Sequence, residues 1–205
     1  MYYVYADENS IYNPLDKSLT IHSPKINLEL GKAGSFQFDI PPTNLYYNSL
    51  TQLKTIIKVE IDNTTVFYGR VFSITRSFNN MKKVYCEGIL SYLIDTVQKG
   101  KSYKGKARAL FNDIITAHNN MVGSDKQFQI GTVNIEDVDV VIPGKKDNEG
   151  NYYGDAYEQA IIDSIADEWL TSYDYIQNIL IDYLGGFLIA SHQNGRNRID
   201  YISEK

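Results

Sequence analysis

A chain of 205 residues and 23.4 kDa, with 20 basic against 25 acidic residues and a net charge of −5, can bury a substantial core but lacks the basic excess of a nucleic-acid-binding surface. Its single cysteine excludes an intramolecular disulfide and a cysteine-built metal cluster. No run approaches the roughly 18 apolar residues of a membrane span, and the opening MYYVYADENS has neither the charged start nor the apolar centre of a signal peptide. Apolar residues make up 43% and charged residues 22%, a globular mixture rather than a disordered or coiled-coil one. Aromatic usage is lopsided, with 17 Tyr and 8 Phe beside one Trp, which suits half-buried strands and contact surfaces.

The first ninety residues read as β structure. Met1 to Tyr5 forms either a pairing strand or a contact surface. Ile26, Leu28 and Leu30 alternate with polar residues, Gly31-Lys32-Ala33-Gly34 offers a turn, and Phe36, Phe38 and Ile40 resume the alternation, so a hairpin is expected. Pro41-Pro42 ends its second strand, because neither residue can donate to a ladder. Residues 55–61, 66–77 and 83–88 read as three further strands, joined at Asp62-Asn63 and Phe78-Asn79-Asn80. Gly69, inside a strand pattern, marks a bulge or a close backbone approach. The period then changes. Leu90, Leu93, Ile94 and Val97 fall at helical spacing, residues 99–106 make a polar linker, and Ala107, Leu110, Phe111, Ile114 and Ile115 define an amphipathic helix ending near His118-Asn119-Asn120. Strand character returns at 128–133 and 138–142, followed by an exposed loop over 143–154 and a helix over 156–169. Thr171 to Asp174 fits a capping box for another helix through Ile176, Ile179, Leu180 and Tyr183, which Gly185-Gly186 closes. Residues 187–192 and 198–202 flank Asn194-Gly195, a strong hairpin signal. The expected class is α+β and mainly β, with two small antiparallel barrel- or sandwich-like units joined and decorated by amphipathic helices. The expected segments are 1–98, a linker and helix over 99–124, and 125–205.

No catalytic, cofactor-binding or metal-binding residue stands out. His22, His118 and His192 have no ligand-type spacing, and Cys86, mid-strand, reads as a buried core thiol. Asp137, Asp139, Asp147, Asn148, Glu149, Asn151 and Asp155 offer oxygen ligands but not the order of a calcium loop. No carboxylate pair marks a glycosidase. Gly31 to Gly34 lacks the ending of a phosphate loop, and Asn63-Thr64-Thr65 matches a glycosylation acceptor without a secretory context. Exposed aromatics are the remaining candidates. Tyr2, Tyr3, Tyr5, Tyr46 and Tyr47 form the candidate interface, with Tyr12 nearby in sequence; Tyr152, Tyr153 and Tyr157 flank the long loop. Such clusters anchor protein interfaces or stack on sugars.

Five stretches in order, GKAGSFQFDIPP at 31–42, FYGRVFSI at 67–74, VYCEGILSYLID at 84–95, the helix at 109–119 ending in His-Asn, and 175–202 with DYLGGFL and RIDYI, resemble the N-terminal hub region of siphophage tail proteins. That family, often labelled prophage endopeptidase tail or tail-associated lysin, is similar to the baseplate hub protein of contractile-tailed phages. The resemblance implies a structural role at the tail tip: closing or continuing the tail tube, contacting the distal tail protein, the tape measure and host-binding parts, and ring formation as a homotrimer. Family hubs usually continue past the position of Lys205, so an incomplete second β unit and weak assembly without partners are expected, with any hydrolase part lying beyond this chain. A carbohydrate module for cell-wall polymer and a peptidoglycan hydrolase are the alternatives. A sugar platform needs coplanar aromatics beside amides, whereas a hub needs an apolar strand edge or face. The expected location is the virion tail tip, and the host cytoplasm during assembly; no DNA binding is expected.

Overall fold

The computed structural model describes residues 1–143, 148–149 and 168–203. The expected helix over 156–169, apart from its last two residues, most of the loop over 143–154, Asp147, Asn151, Asp155, Tyr152, Tyr153 and Tyr157 lie outside the described residues. The chain forms two compact units, Met1–Leu90 and Ser91–Lys205, and its class is α+β, mainly β.

The first unit is a curled antiparallel sheet of seven strands. In chain order they are β1 (Tyr2–Ala6), β2 (Asn9–Tyr12), β3 (His22–Asn27), β4 (Ser35–Ile40), β5 (Ile56–Ile61), β6 (Thr64–Arg76) and β7 (Lys82–Gly88). In space the order is β2-β1-β5-β6-β7-β4-β3. Alternation sets the inward face. Val4, Ala6, Phe36, Phe38, Ile40, Ile57, Val59, Phe67, Val71, Val84 and Cys86 are buried in one core. Each large apolar side chain removed from water contributes about 1.5–3 kcal/mol. Asp62 and Asn63 both take positive φ, 47° and 64°, the geometry that matches a tight turn to strand twist. The strand β4 stops at Ile40, directly before the two prolines.

Strand β6 is long because it serves two ladders. Its first half, Thr64 to Arg70, pairs with β5, and its second half, Gly69 to Arg76, pairs with β7. The two ladders share only Gly69 and Arg70 on β6. Gly69 lies opposite Gly88, and a β-carbon on Gly69 would stand 2.0 Å from Glu87 O. This is the close backbone approach that an in-strand glycine signals; the bulge lies further along, between Val71 and Ser73.

The hairpin before the prolines exists, but its first arm differs from the sequence reading. Among the described residues, strand β3 pairs only with β4 and is exposed along its length, and Leu28 and Leu30 fall beyond it, 59% and 66% exposed. Alternation marked an amphipathic segment, but its apolar residues Ile26, Leu28 and Leu30 are exposed among the described residues. Ser23 at φ 50°, Pro24 and a register shift between His22 and Lys25 interrupt the edge, the devices by which sheets blunt free edges.

A 3-10 helix, Ile89–Ile94, straddles the division between the units. It buries Leu90 and Leu93 but leaves Ile94 exposed, and Val97 belongs to a strand rather than to the expected helix. The second unit contains β8 (Val97–Lys99), β9 (Tyr103–Lys106), α1 (Ala107–Met121), β10 (Phe128–Val133), β11 (Asp139–Ile142), β12 (Trp169–Thr171), α2 (Ser172–Ile176), a π-helical turn (Gln177–Ile181), α3 (Asp182–Leu184), β13 (Phe187–Gln193) and β14 (Arg196–Ile202). Residues 99–106, read as a polar linker, therefore supply β9, which pairs with β11; β8 pairs with β12. Backbone hydrogen bonds hold these short ladders, whose side chains carry little apolar periodicity.

Helix α1 buries Ala107, Leu110, Phe111, Ile114, Ile115 and His118, the apolar face read from the sequence plus one imidazole. Lys106 gives its first turn no side-chain cap; Asp137 Oδ1 accepts from Arg108 N at 3.1 Å instead. Thr171 Oγ1 caps α2 by accepting from Asp174 N at 3.0 Å, and Gly185 and Gly186 end the helical run at φ 70° and 86°. Strands β13 and β14 form the expected hairpin, turning at Asn194 (φ 51°) and Gly195 (φ 74°). One pairing corrects the all-antiparallel expectation for this unit: β10 runs parallel to β14. The long segment between them allows the crossover that a parallel pair requires.

Candidate functional site

The five candidate interface tyrosines are all half-buried. Tyr2 stacks on Tyr12 with ring centroids 4.5 Å apart and planes 17° apart, and burial, with Tyr12 alongside, pushes its hydroxyl up to about 12. Tyr2, Tyr46 and Tyr47 pack against the first unit's core. Tyr47 donates to Asn80 O at 2.5 Å, and the Lys82 ammonium sits 4.0 Å from its ring centre while bonding Tyr47 O. Tyr3 Oη donates to Met1 Sδ at 3.2 Å. Lys58 Nζ lies 4.4 Å over the Tyr5 ring and pairs with Glu60 at 2.9 Å. The rings thus brace strands and leave only parts of their surface to solvent.

Three other surface features stand out among the described residues. On the first unit, Phe72 and Tyr85 are exposed neighbours with centroids 6.3 Å apart and planes at 80°. Edge-on rings do not offer a flat sugar platform. The β3 edge leads into Leu28 and Leu30, both exposed. On the second unit, a polar cleft of about 490 Å³ lies beside the β13–β14 turn. Asn119 Nδ2 donates to Phe128 O and its Oδ1 accepts from Phe128 N, both at 2.8 Å. Gln127 donates to Asn119 O, and Asn197 to Asp125 O. These amides are occupied in fixing the chain's own loops, leaving exposed Arg196 and Gln129 on the cleft's rim.

Cys86 is fully buried, and desolvation pushes its thiol far up. Among the described residues no group of three or more His, Cys, Asp or Glu side chains could hold a metal ion, and no helix is long and apolar enough to cross a membrane. The three histidines lie on different elements. His192 Nδ1 is 2.8 Å from Asn197 Oδ1, His22 lies on the β3 edge, and His118 enters the core of the second unit. There Thr96 Oγ1 stands 2.7 Å from His118 Nδ1 and 2.6 Å from Ser172 Oγ. Sequence reading missed this cluster because its members, from three separate segments, share no motif.

No protein-family model and no curated protein sequence matches the chain. Among solved structures, its fold is similar to that of phage tail proteins. The prophage MuSo2 43 kDa tail protein from Shewanella oneidensis aligns at a TM-score of 0.52 and 13% identity, over 100% of this chain and 56% of its own. The tail protein from Neisseria meningitidis MC58 aligns at 0.52 and 14%, over 97% of this chain and 49% of its own. The chain therefore spans about half the length of these tail proteins, and what it shares with them is the fold.

Proposed function

We propose that the protein is a structural component of a phage or prophage tail, acting at the tail tip as a baseplate-hub element that closes or continues the tube. The observation that carries this reading is the tail-protein fold with an open β3 edge on its first unit. That edge and the exposed parts of Tyr2, Tyr3, Tyr5, Tyr46 and Tyr47 form the contact surface for neighbouring tail proteins, among them the distal tail protein and, in a homotrimer, further copies. In this reading the chain is not an enzyme, and its net negative charge suits a wall past which DNA travels without sticking, since nonspecific DNA affinity comes from Lys and Arg displacing counterions. Gold-labelled antibody against the chain, applied to particles released from the host strain, should decorate one end of the tail. Particles that carry no copy of the chain would refute the reading.

A further inference from the structure

The second unit holds a chain of hydrogen bonds whose direction is fixed by its two ends. At one end, His118 Nε2 lies 3.2 Å from Lys126 O. A carbonyl can only accept, so Nε2 carries the ring proton. In the neutral ring Nδ1 is then an acceptor, and the Thr96 hydroxyl 2.7 Å away must donate to it. Having used its one proton, Thr96 Oγ1 accepts from Ser172 Oγ at 2.6 Å. At the other end, Gln98 Nε2 donates to Ser172 Oγ at 2.7 Å and to Ile114 O at 2.9 Å. Each hydroxyl therefore gives one proton onward toward the imidazole. Thr96, His118 and Ser172 are all buried, at most 4% exposed, so bulk water has little access to a broken link.

A second proton on His118 does not fit this chain. Nδ1 would become a donor facing a donor. If Thr96 turns to accept from it, the Thr96 proton needs a new acceptor. If that proton goes to Ser172 Oγ, the Ser172 proton is left over instead. Either way one buried hydroxyl proton loses its partner. Among the described residues, the charged groups bearing on the ring are Asp95, which follows the 3-10 helix and favours the charged form, and Lys126, which precedes β10 and opposes it. They pair with each other at 2.8 Å. Helix α2 presents uncharged Ser172, and β10 presents the Phe128 ring at 5.6 Å.

We propose that the Gln98–Ser172–Thr96–His118–Lys126 chain makes the second unit acid-sensitive, holding α1, α2 and β8 together while His118 is neutral and releasing them when it is protonated. Burial works in the same direction, holding the imidazole below its ordinary value of 6.5. The stability this group contributes is fully present above 6.5 and is lost as the pH falls from there through the lower value of the folded state. The proposal concerns the unit itself and does not depend on a tail role.

The test is nitrogen-resolved NMR of the histidine rings in the full chain, from about pH 8 to about pH 4.5, together with urea unfolding of the second unit. His118 should carry its proton on Nε2 and titrate below 6.5, while the folding constant falls by up to about tenfold per pH unit through that window. His118→Gln keeps one donor and one acceptor but cannot titrate, and should lose most of this pH dependence. A proton on Nδ1, titration at or above the ordinary value, or equal acid sensitivity in wild type and His118→Gln would overturn the proposal. If His118→Gln fails to fold, the wild-type ring spectrum decides alone.

Discussion

Gly69→Ala puts the sheet geometry of the first unit to a quantitative test. A β-carbon there would stand 2.0 Å from Glu87 O, 2.7 Å from Glu87 C and 2.8 Å from Gly88 Cα, against an ordinary contact of roughly 3.5 Å. All three atoms are backbone, so no rotamer change relieves the clash; β6 and β7 must separate by on the order of 1 Å. Overpacking of this kind costs about 1–3 kcal/mol, and each ladder hydrogen bond opened adds about 1 kcal/mol. A loss of about 3 kcal/mol follows, a large share of the roughly 5–15 kcal/mol that holds a domain folded. With a urea slope of about 1.5 kcal/mol/M, the midpoint of the first unit's transition should fall by about 2 M. Gly195→Ala gives the contrast, because that residue has φ +74° and nothing within 4 Å of the added carbon. Only backbone strain of about 1–2 kcal/mol applies there, read in the second unit's transition. A Gly69→Ala midpoint within about 0.3 M of wild type would refute the close-approach argument.

Asn44→Ala should lower first-unit stability by about 2–4 kcal/mol, because buried Asn44 Nδ2 donates to Ile11 O at 2.8 Å and Thr20 O at 2.9 Å and its Oδ1 accepts from Tyr46 N; amide exchange should quicken first along β2. Cys86 should stay unreactive toward a thiol reagent in the native protein at pH 8 and react fully in about 8 M urea, because the thiolate is the attacking form and burial disfavours it; prompt native labelling would contradict the buried placement.

Much of this architecture was legible where the signal is local. Asp62-Asn63 and Asn194-Gly195 specify tight turns through positive φ, Pro41-Pro42 terminates β4 by lacking donors, and Gly69 announces a contact that only a missing side chain permits. The face of α1 could be read from Leu110, Phe111, Ile114 and Ile115 alone. What stayed hidden depends on partners distant in sequence. The alternation of Ile26, Leu28 and Leu30 shows amphipathy but not whether the chain supplies a cover for it. Lys104, Gly105 and Lys106 join a ladder through backbone groups that leave no mark on side-chain pattern. The parallel direction of β10 is set by β14, some seventy residues later. The His118 cluster is subtler still: no residue in it is chemically unusual, and its meaning arises only from which atom must donate. The candidate tyrosines were visible as a composition anomaly, yet their bracing contacts with Tyr12, Lys58 and Lys82 needed coordinates.

The staggered pairing along β6 also decides how the first unit would carry tension. Strand β5 is bonded to its first half and β7 to its second, with only Gly69 and Arg70 shared. A pull along the strand axis between the β5 side and the β7 side loads each ladder in shear, where many hydrogen bonds must yield together. Between the two ladders the force runs through the covalent backbone of β6 itself. The sheet then behaves as two bonded pads fastened to one tie rod, and its resistance to stretching is set by the length of each overlap rather than by the number of strands.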